Sequence, residues 1–318
     1  MSRTAKLPRT PRDEELRDLG KWLYALWKFS RPHTIIGTSL SVLGLFLIAF
    51  SLSPEPTLPL SPSLVGAWVA CLCGNVYIVG LNQLEDVAID RINKPHLPLA
   101  SGEFSRRTGV IIVAVTGILG LLVAWLSSPF LFGMVGISLA IGTAYSLPPI
   151  RLKRFPFWAA LCIFSVRGAI VNLGLFLHFS WVWRLSLVIP SSVWVLTGFI
   201  LVFTFAIAIF KDIPDLEGDR LYQITTFTIA LGKPRVFNLA RMVLSVCYLG
   251  MVIVGIFWLP DVNSVFLVST HLVLLGLMWW YSLKVDLEDK AAIASYYQFI
   301  WKLFFLEYLI FPAACLLA

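Results

Sequence analysis

An all-α, polytopic membrane bundle of about nine transmembrane helices is the fold class this sequence predicts, and three observations carry the prediction. Of 318 residues, 58% are hydrophobic and only 14% are charged, a composition too apolar for a soluble domain of that size. Stretches near the ~20 apolar residues that cross about 30 Å of hydrocarbon recur at about 33–50, 63–84, 109–126, 129–147, 157–178, 193–211, 237–258, 264–283 and 299–317. Lys and Arg, finally, gather in alternate loops.

That alternation orients the bundle. Eight cations lie from Arg3 to Arg31, followed by Arg91, Lys94, Arg106 and Arg107, then Arg151, Lys153 and Arg154, then more from Lys211 onward; the intervening loops hold only Arg184. Cations collect in cytoplasmic loops, so the N-terminus is expected inside and the C-terminus outside. The net charge of +7 is then mainly an orientation signal. The same loops would attract anionic lipid heads or a phosphate-bearing substrate, and nothing points to nucleic acid. Residues 1–21 mix Arg with Asp13, Glu14, Glu15 and Asp18 and fit neither a signal peptide nor an acid-poor transit peptide. They are expected to be a tail, on a chain complete in bacterial style or already processed, with a single membrane domain over 22–318. The five cysteines fall within apolar spans and act as small hydrophobes.

Two polar segments break the pattern. The stretch "NQLEDVAIDRINKPHLPLASG", Asn82 to Gly102, follows the second span, and "IPDLEGDR", Ile213 to Arg220, follows the sixth. Both contain D-x-x-x-D-R, 129 residues apart and on the same membrane side. The echo predicts two pseudo-repeated halves of four spans with a ninth added. Residues four apart share a helix face about 6 Å apart along the axis, so Asn82, Asp86 and Asp90 form one stripe. Asp215 and Asp219 repeat the spacing, with Asp212 a turn earlier. Carboxylates at a helix C-terminus oppose the macrodipole by some tenths of a kcal/mol each, so a cation must compensate. Either Lys and Arg do so in a solvated loop, or Mg²⁺ does, taking one or two carboxylates and completing its shell with water and phosphate oxygens. With Arg91, Lys94, Lys153, Arg154, Lys211 and Arg220 on the same side, the second alternative describes a diphosphate trap.

Other residues suit a ligand that is part ion and part lipid. Arg167, inside the fifth span with Asn172 beyond it, costs a few kcal/mol to insert and is a functional candidate by default; its partner is either a carboxylate such as Glu307 or a substrate carboxylate. In "AYSLPPIRLKR", Tyr145 precedes a proline break and the cations Arg151, Lys153 and Arg154. Tyr145 is either an interfacial anchor or a group facing a diphosphate oxygen or an allylic cation. His33 and His96 lie on the acidic side, while His178 and His271 do not, and the four form no ligand cluster. No nucleophile elbow, P-loop or dinucleotide fingerprint is present. A transporter would carry its charges near mid-membrane on broken helices, whereas these carboxylates sit at the inner helix ends. The D-G-x-x-A-R core of a CDP-alcohol phosphotransferase is absent.

N-x-x-x-D-x-x-x-D followed by "KPHLPLASG", the second motif in "KDIPDLEGDR", and nine spans together resemble the UbiA-type intramembrane prenyltransferases from about Trp22 onward. Within that family, "FSRPHTIIGTSLSVLGL", "VGLNQLEDVAIDRINKPHLPLASGEFS", "VRGAIVNLGLFLH" and "FKDIPDLEGDR" are similar to the homogentisate prenyltransferases of cyanobacteria and plastids. The resemblance implies that Asn82, Asp86, Asp90, Asp215 and Asp219, with Asp212 as a weaker carry-over, hold Mg²⁺, two ions being expected, on a prenyl diphosphate. Lys94, Tyr145, Arg151, Lys153 and Lys211 are expected diphosphate contacts by residue type and side of the membrane rather than by a motif, and His33, Asn82, Arg167 and Asn172 are expected substrate contacts. The implied reaction is transfer of a phytyl or geranylgeranyl group to homogentisate with decarboxylation, towards tocopherols, in a cyanobacterial or plastid membrane. Solanesyl transfer to homogentisate, prenylation of 4-hydroxybenzoate and chlorophyll synthesis are the alternatives within the superfamily.

Overall fold

The computed structural model describes residues 11–53, 62–222 and 226–318. Among them every regular element is helical. Helix α1, Pro11–Phe29, lies outside the spans. It crosses the expected boundary after residue 21, while residues 1–10 lie outside the described residues. Four spans follow: α2 (Pro32–Ser51), α3 (Pro62–Glu85), α6 (Arg106–Ser127) and α7 (Pro129–Ser146). Short helices α4 (Val87–Asn93) and α5 (Pro98–Ser101) separate α3 from α6. The second group is α8 (Pro156–Val182), α9 (Ser191–Phe210), α12 (Lys233–Phe257) and α13 (Ser264–Ser282), with α10 (Leu216–Leu221) and α11 (Phe227–Leu231) between α9 and α12. Helix α14, Lys290–Leu316, is the ninth span.

All nine expected spans are present, and the largest difference is at α14, which starts at Lys290 rather than near residue 299. Its first turns contain Ser295, Tyr296, Tyr297 and Gln298, helical but outside the apolar window. Asp289 caps them, its carboxylate accepting from Ala291 N at 2.8 Å. Capping also starts other spans. The Ser105 and Ser128 hydroxyls accept from Thr108 N and Leu131 N at 3.0 and 3.1 Å, and Pro32, Pro129 and Pro156 occupy first turns, where a missing N–H costs nothing.

Each span packs against the next in sequence, and α14 closes the ring between α13 and α2. The neighbour order of α2, α3, α6 and α7 recurs in α8, α9, α12 and α13. Some of the polar groups inside the ring pair with one another, which offsets part of the cost of burying them in hydrocarbon. His271 Nε2 lies 3.0 Å from Glu307 Oε2, and Tyr308 donates to Asn172 Oδ1 at 2.7 Å. Helix α1 docks through Ala25 and Phe29 against Leu81 and Leu84 of α3, Leu99 of α5 and Val113 of α6. Leu19, Leu23 and Trp27, a row at i, i+4 and i+8, stay exposed on it.

Candidate active site

Helix α3 stops at Glu85 and α4 starts at Val87, with Asp86 between them at φ −113°, ψ 16°. Backbone bonding continues through the bend: Asp86 N donates to Asn82 O at 3.1 Å, Asp90 N to Asp86 O at 2.8 Å, and Lys94 N to Asp90 O at 2.7 Å. Asn82, Asp86, Asp90 and Lys94 thus keep one face, and all four line a cavity of about 950 Å³. Glu85 is directed elsewhere, 3.7 Å from Arg106. The second motif uses the same device. α9 ends at Phe210, a turn carries Lys211 and Asp212, and Asp219 N donates to Asp215 O at 3.2 Å. Asp212, Asp215 and Asp219 line the same cavity.

Two bonds clasp the motifs together. Asn93 Oδ1 accepts from Gly218 N at 2.9 Å, and Lys94 Nζ lies 2.5 Å from Asp215 Oδ2. The first contact needs glycine, because a Cβ at position 218 would lie 2.4 Å from Asn93 Oδ1. Across the cavity, Lys153 donates to Asp86 Oδ1 at 2.7 Å and Arg151 to the same oxygen at 3.3 Å. Asn82 donates to Asp86 Oδ2 at 2.9 Å. Lys211 donates to the Tyr145 hydroxyl at 3.3 Å.

The carboxylates are short of cation. Asp90 is 4% exposed and its Oδ2 has no hydrogen-bond partner. Burial raises its pKa, and Asp86 and Asp215 add to the rise against Arg31 and Lys94. Burial, with Asp215 and Asp212 nearby, pushes Asp219 up to about 7, and burial with Asp215 pushes Asp212 up to about 6. Lys153 is lowered by burial, against the pull of Asp86. Among the described residues no three His, Cys, Asp or Glu side chains close on one point; the carboxylates ring the cavity mouth singly. A hard cation that takes few protein oxygens and shares the rest of its shell with water and phosphate fits that donor set, to which Asp90 Oδ2, without a hydrogen-bond partner, could contribute.

Further in, His33 packs at a tilt of 57° against Trp301 with ring centroids 4.8 Å apart. The Arg167 guanidinium lies 5.2 Å from the Trp301 ring and 5.7 Å from Phe304. Arg167 sits in a π-helical turn, Ser165–Ile170, within α8, a local widening frequent at functional sites. Glu307 is not its partner, since that carboxylate belongs to His271; the expected carboxylate alternative within the protein is therefore corrected. Asn172 does not line the cavity. It is fully buried, donating to Gly168 O at 2.8 Å and accepting from Tyr308. Tyr308 does line the cavity. Arg151 reaches the cavity only through Asp86, whereas His96, Tyr145, Lys153 and Lys211 line it directly.

Several lining residues escaped the sequence. Arg31, counted only among the inner cations, has positive φ (53°) and donates to Asn82 Oδ1 at 3.3 Å. Asn75 donates to Thr34 Oγ1 at 3.0 Å, and a polar residue deep in an apolar span was a usable signal for it. Tyr297 and Trp301 give no such signal, since aromatic residues are spread over every span, and Gln298 lies just outside the ninth apolar stretch.

A closed ring of membrane helices that holds two acidic loops over one cavity lined by cations, aromatic rings and apolar side chains is the architecture of an intramembrane enzyme. The family model described as "UbiA prenyltransferase family" matches residues 40–303, and the chain belongs to that family. It is 56% identical over 298 residues to the homogentisate phytyltransferase of Synechocystis sp. (strain ATCC 27184 / PCC 6803 / Kazusa), covering 92% of this chain and 96% of that one. To homogentisate phytyltransferase 1, chloroplastic, of Arabidopsis thaliana it is 42% identical over 298 residues, covering 91% of this chain and 75% of that one. Its fold matches that of a UbiA homolog from Archaeoglobus fulgidus bound to GPP and Mg²⁺ with a TM-score of 0.62, at 16% identity, over 91% of this chain and 99% of that one.

Proposed function

We propose that this protein transfers a phytyl group, or the related geranylgeranyl group, from its diphosphate to homogentisate, with loss of the acetate carboxyl group as CO₂, on the way to tocopherols. The observation that carries the reading is the clasp: two acidic motifs, tied by Asn93–Gly218 and Lys94–Asp215, face one cavity whose walls turn apolar within a few helical turns. The 56% identity to a homogentisate phytyltransferase supports the choice of substrates, and the gathering of Lys and Arg in the loops on the motif side, against Arg184 alone in the opposite ones, supports an inner-side mouth.

Asn82, Asp86 and Asp90 from one motif, with Asp212, Asp215 and Asp219 from the other, would hold Mg²⁺, two ions in this reading. Bound there, Mg²⁺ neutralises charge on the departing diphosphate. Lys94, Lys153, Lys211 and Arg151 add fixed positive charge where the leaving group develops its own, and such preorganised groups need no rearrangement during reaction. The Tyr145 hydroxyl, beside Lys211, orients towards the same oxygens. Breaking the bond between prenyl carbon and diphosphate oxygen leaves an allylic cation, which the walls of Trp301, Phe304 and Tyr297 shield from water and stabilise through their ring faces. The ring of homogentisate supplies the electrons for the new carbon–carbon bond and gives up the proton of the attacked carbon, while its acetate arm loses CO₂ and takes up one proton to become a methyl group, so that no net proton is gained or lost. No enzyme nucleophile takes part. Arg167, with His33, holds the acceptor carboxylate; Asn172 acts one step back by fixing Tyr308.

Membranes containing the protein, given ring-labelled homogentisate and phytyl diphosphate, are expected to form a labelled prenylated quinol with Mg²⁺ and none with EDTA. Absence of product from phytyl and geranylgeranyl donors alike would overturn the choice of acceptor or donor.

A further inference from the structure

The cavity has two lobes of different chemistry. His33, Arg167, Gln298 and Trp301 give one lobe charge and hydrogen-bonding groups. The other, between α3 and α7, is lined by Cys71, Gly74, Ile78, Met134, Val135 and Leu139. The second, which extends to Ala160, Ile163 and Val166 on α8, lets a hydrocarbon chain lie against carbon with few polar groups stranded.

That lobe has a floor. Ser41, Cys71, Met134 and Val171 are the outermost lining residues on α2, α3, α7 and α8. One turn further out on each of those helices stand Leu45, Ala67, Leu131 and Leu175, each 0% exposed and packed in the core. Four spans thus close the cavity at one level. Met134 lines the cavity at this end and packs against Gly174, where a Cβ would lie 2.6 Å from its side chain.

We propose that Met134, set between Cys71 and Gly174, is the gauge of prenyl chain length, forming a subsite for the terminal isoprene unit of a C20 donor. Along α3, Asn82 at the diphosphate end is 11 residues from Cys71, about 16–17 Å at ~1.5 Å per residue. Tyr145 and Met134 are equally far apart on α7. An extended phytyl chain is roughly 19 Å long from carbon–carbon bonds of about 1.5 Å, so slight bending lets it fill the lobe. A solanesyl chain is more than twice that length, exceeding the ~30 Å hydrocarbon layer itself, and meets the floor with most of its units unplaced. The inference rests on the reading of the protein as a C20 prenyltransferase, and it assigns the length limit to particular atoms.

The test compares geranyl, farnesyl, geranylgeranyl, geranylfarnesyl and solanesyl diphosphates, with homogentisate in excess, for wild type, Met134→Phe, Cys71→Phe and Met134→Ala in membranes. Wild type serves as the control for the underlying reading: no turnover of any C20 donor would refute that reading and not the gauge. Filling the floor is expected to lower kcat/KM for geranylgeranyl diphosphate at least tenfold relative to farnesyl diphosphate, so that the preferred donor shortens. Met134→Ala is expected to raise turnover of a C25 donor, geranylfarnesyl diphosphate, relative to geranylgeranyl at least threefold, while the solanesyl donor stays excluded by the core behind it. If active wild type is accompanied by unchanged donor ratios in Met134→Phe and Met134→Ala, the gauge is elsewhere. Inactivity of Met134→Phe with every donor leaves Cys71→Phe and Met134→Ala to decide by the same ratios.

Discussion

Arg167 carries a charge into the bundle with aromatic rings for company and no carboxylate in ion-pair contact among the described residues. A desolvated cation–π contact is worth up to about 2 kcal/mol, comparable to the ~2.5–3.5 kcal/mol that inserting Arg costs on translocon scales. The residue is thus kept without an ion pair and left ready for one. Arg167→Ala is expected to raise KM for homogentisate at least tenfold while KM for the prenyl diphosphate stays within twofold; equal effects on both would remove it from the acceptor lobe. Asp219 and Asp212 make a second prediction. Their folded pKa values of about 7 and about 6 exceed the ordinary 3.8. Between about pH 4 and pH 7 the metal-free folded protein therefore holds protons that the unfolded chain has released. Their contribution to stability is full below about pH 4 and is lost as pH rises through 6 to 7. The thermal midpoint in EDTA should fall from pH 5 to pH 8, and added Mg²⁺ should restore more of it at pH 8 than at pH 6, since only deprotonated carboxylates take the metal. A flat profile would contradict the assignment of the strained carboxylates.

At the scale of elements, the two motif loops behave as one unit because Gly218 lets α10 approach Asn93. Gly218→Ala should push the loops apart, raising the Mg²⁺ concentration for half-maximal activity by tenfold or more. Asn93→Ala, which removes the bond without a clash, should raise it by a smaller factor. An unaltered Mg²⁺ requirement in both variants would show that the loops work separately. The spans were legible because some twenty apolar residues in a row have one use, and the carboxylates because a spacing of four at a helix C-terminus is unfavourable without compensation. The bend at Asp86 was not legible, although it preserves the stripe. Neither was Asn93, an ordinary polar loop residue whose importance depends on a glycine 125 positions away. Arg31 was hidden by its own chemistry: a cation next to a first span is expected for orientation alone. Asn172 misled in the opposite sense, being polar and intramembrane yet spent on Tyr308 and Gly168.

Across the whole molecule, ring closure turns a repeat into a site. Each half supplies one acidic loop on the same side, and α14, packed between α13 and α2, adds Tyr297, Gln298 and Trp301 to the wall. The sequence disclosed the repeat and the ninth span, but not that the ninth span completes the cavity, since packing partners leave no mark on hydropathy. The central claim is that the two motifs bind one metal-diphosphate group between them. Equilibrium binding of Mg²⁺ with inorganic diphosphate to the protein in lipid nanodiscs, for wild type, Asp86→Asn, Asp215→Asn and the double variant, tests it directly. The account predicts that each single variant weakens binding at least tenfold, that the double variant weakens it less than the product of the two, and that EDTA abolishes it in wild type. Single variants that bind as wild type does, or effects that multiply independently, would contradict a shared site.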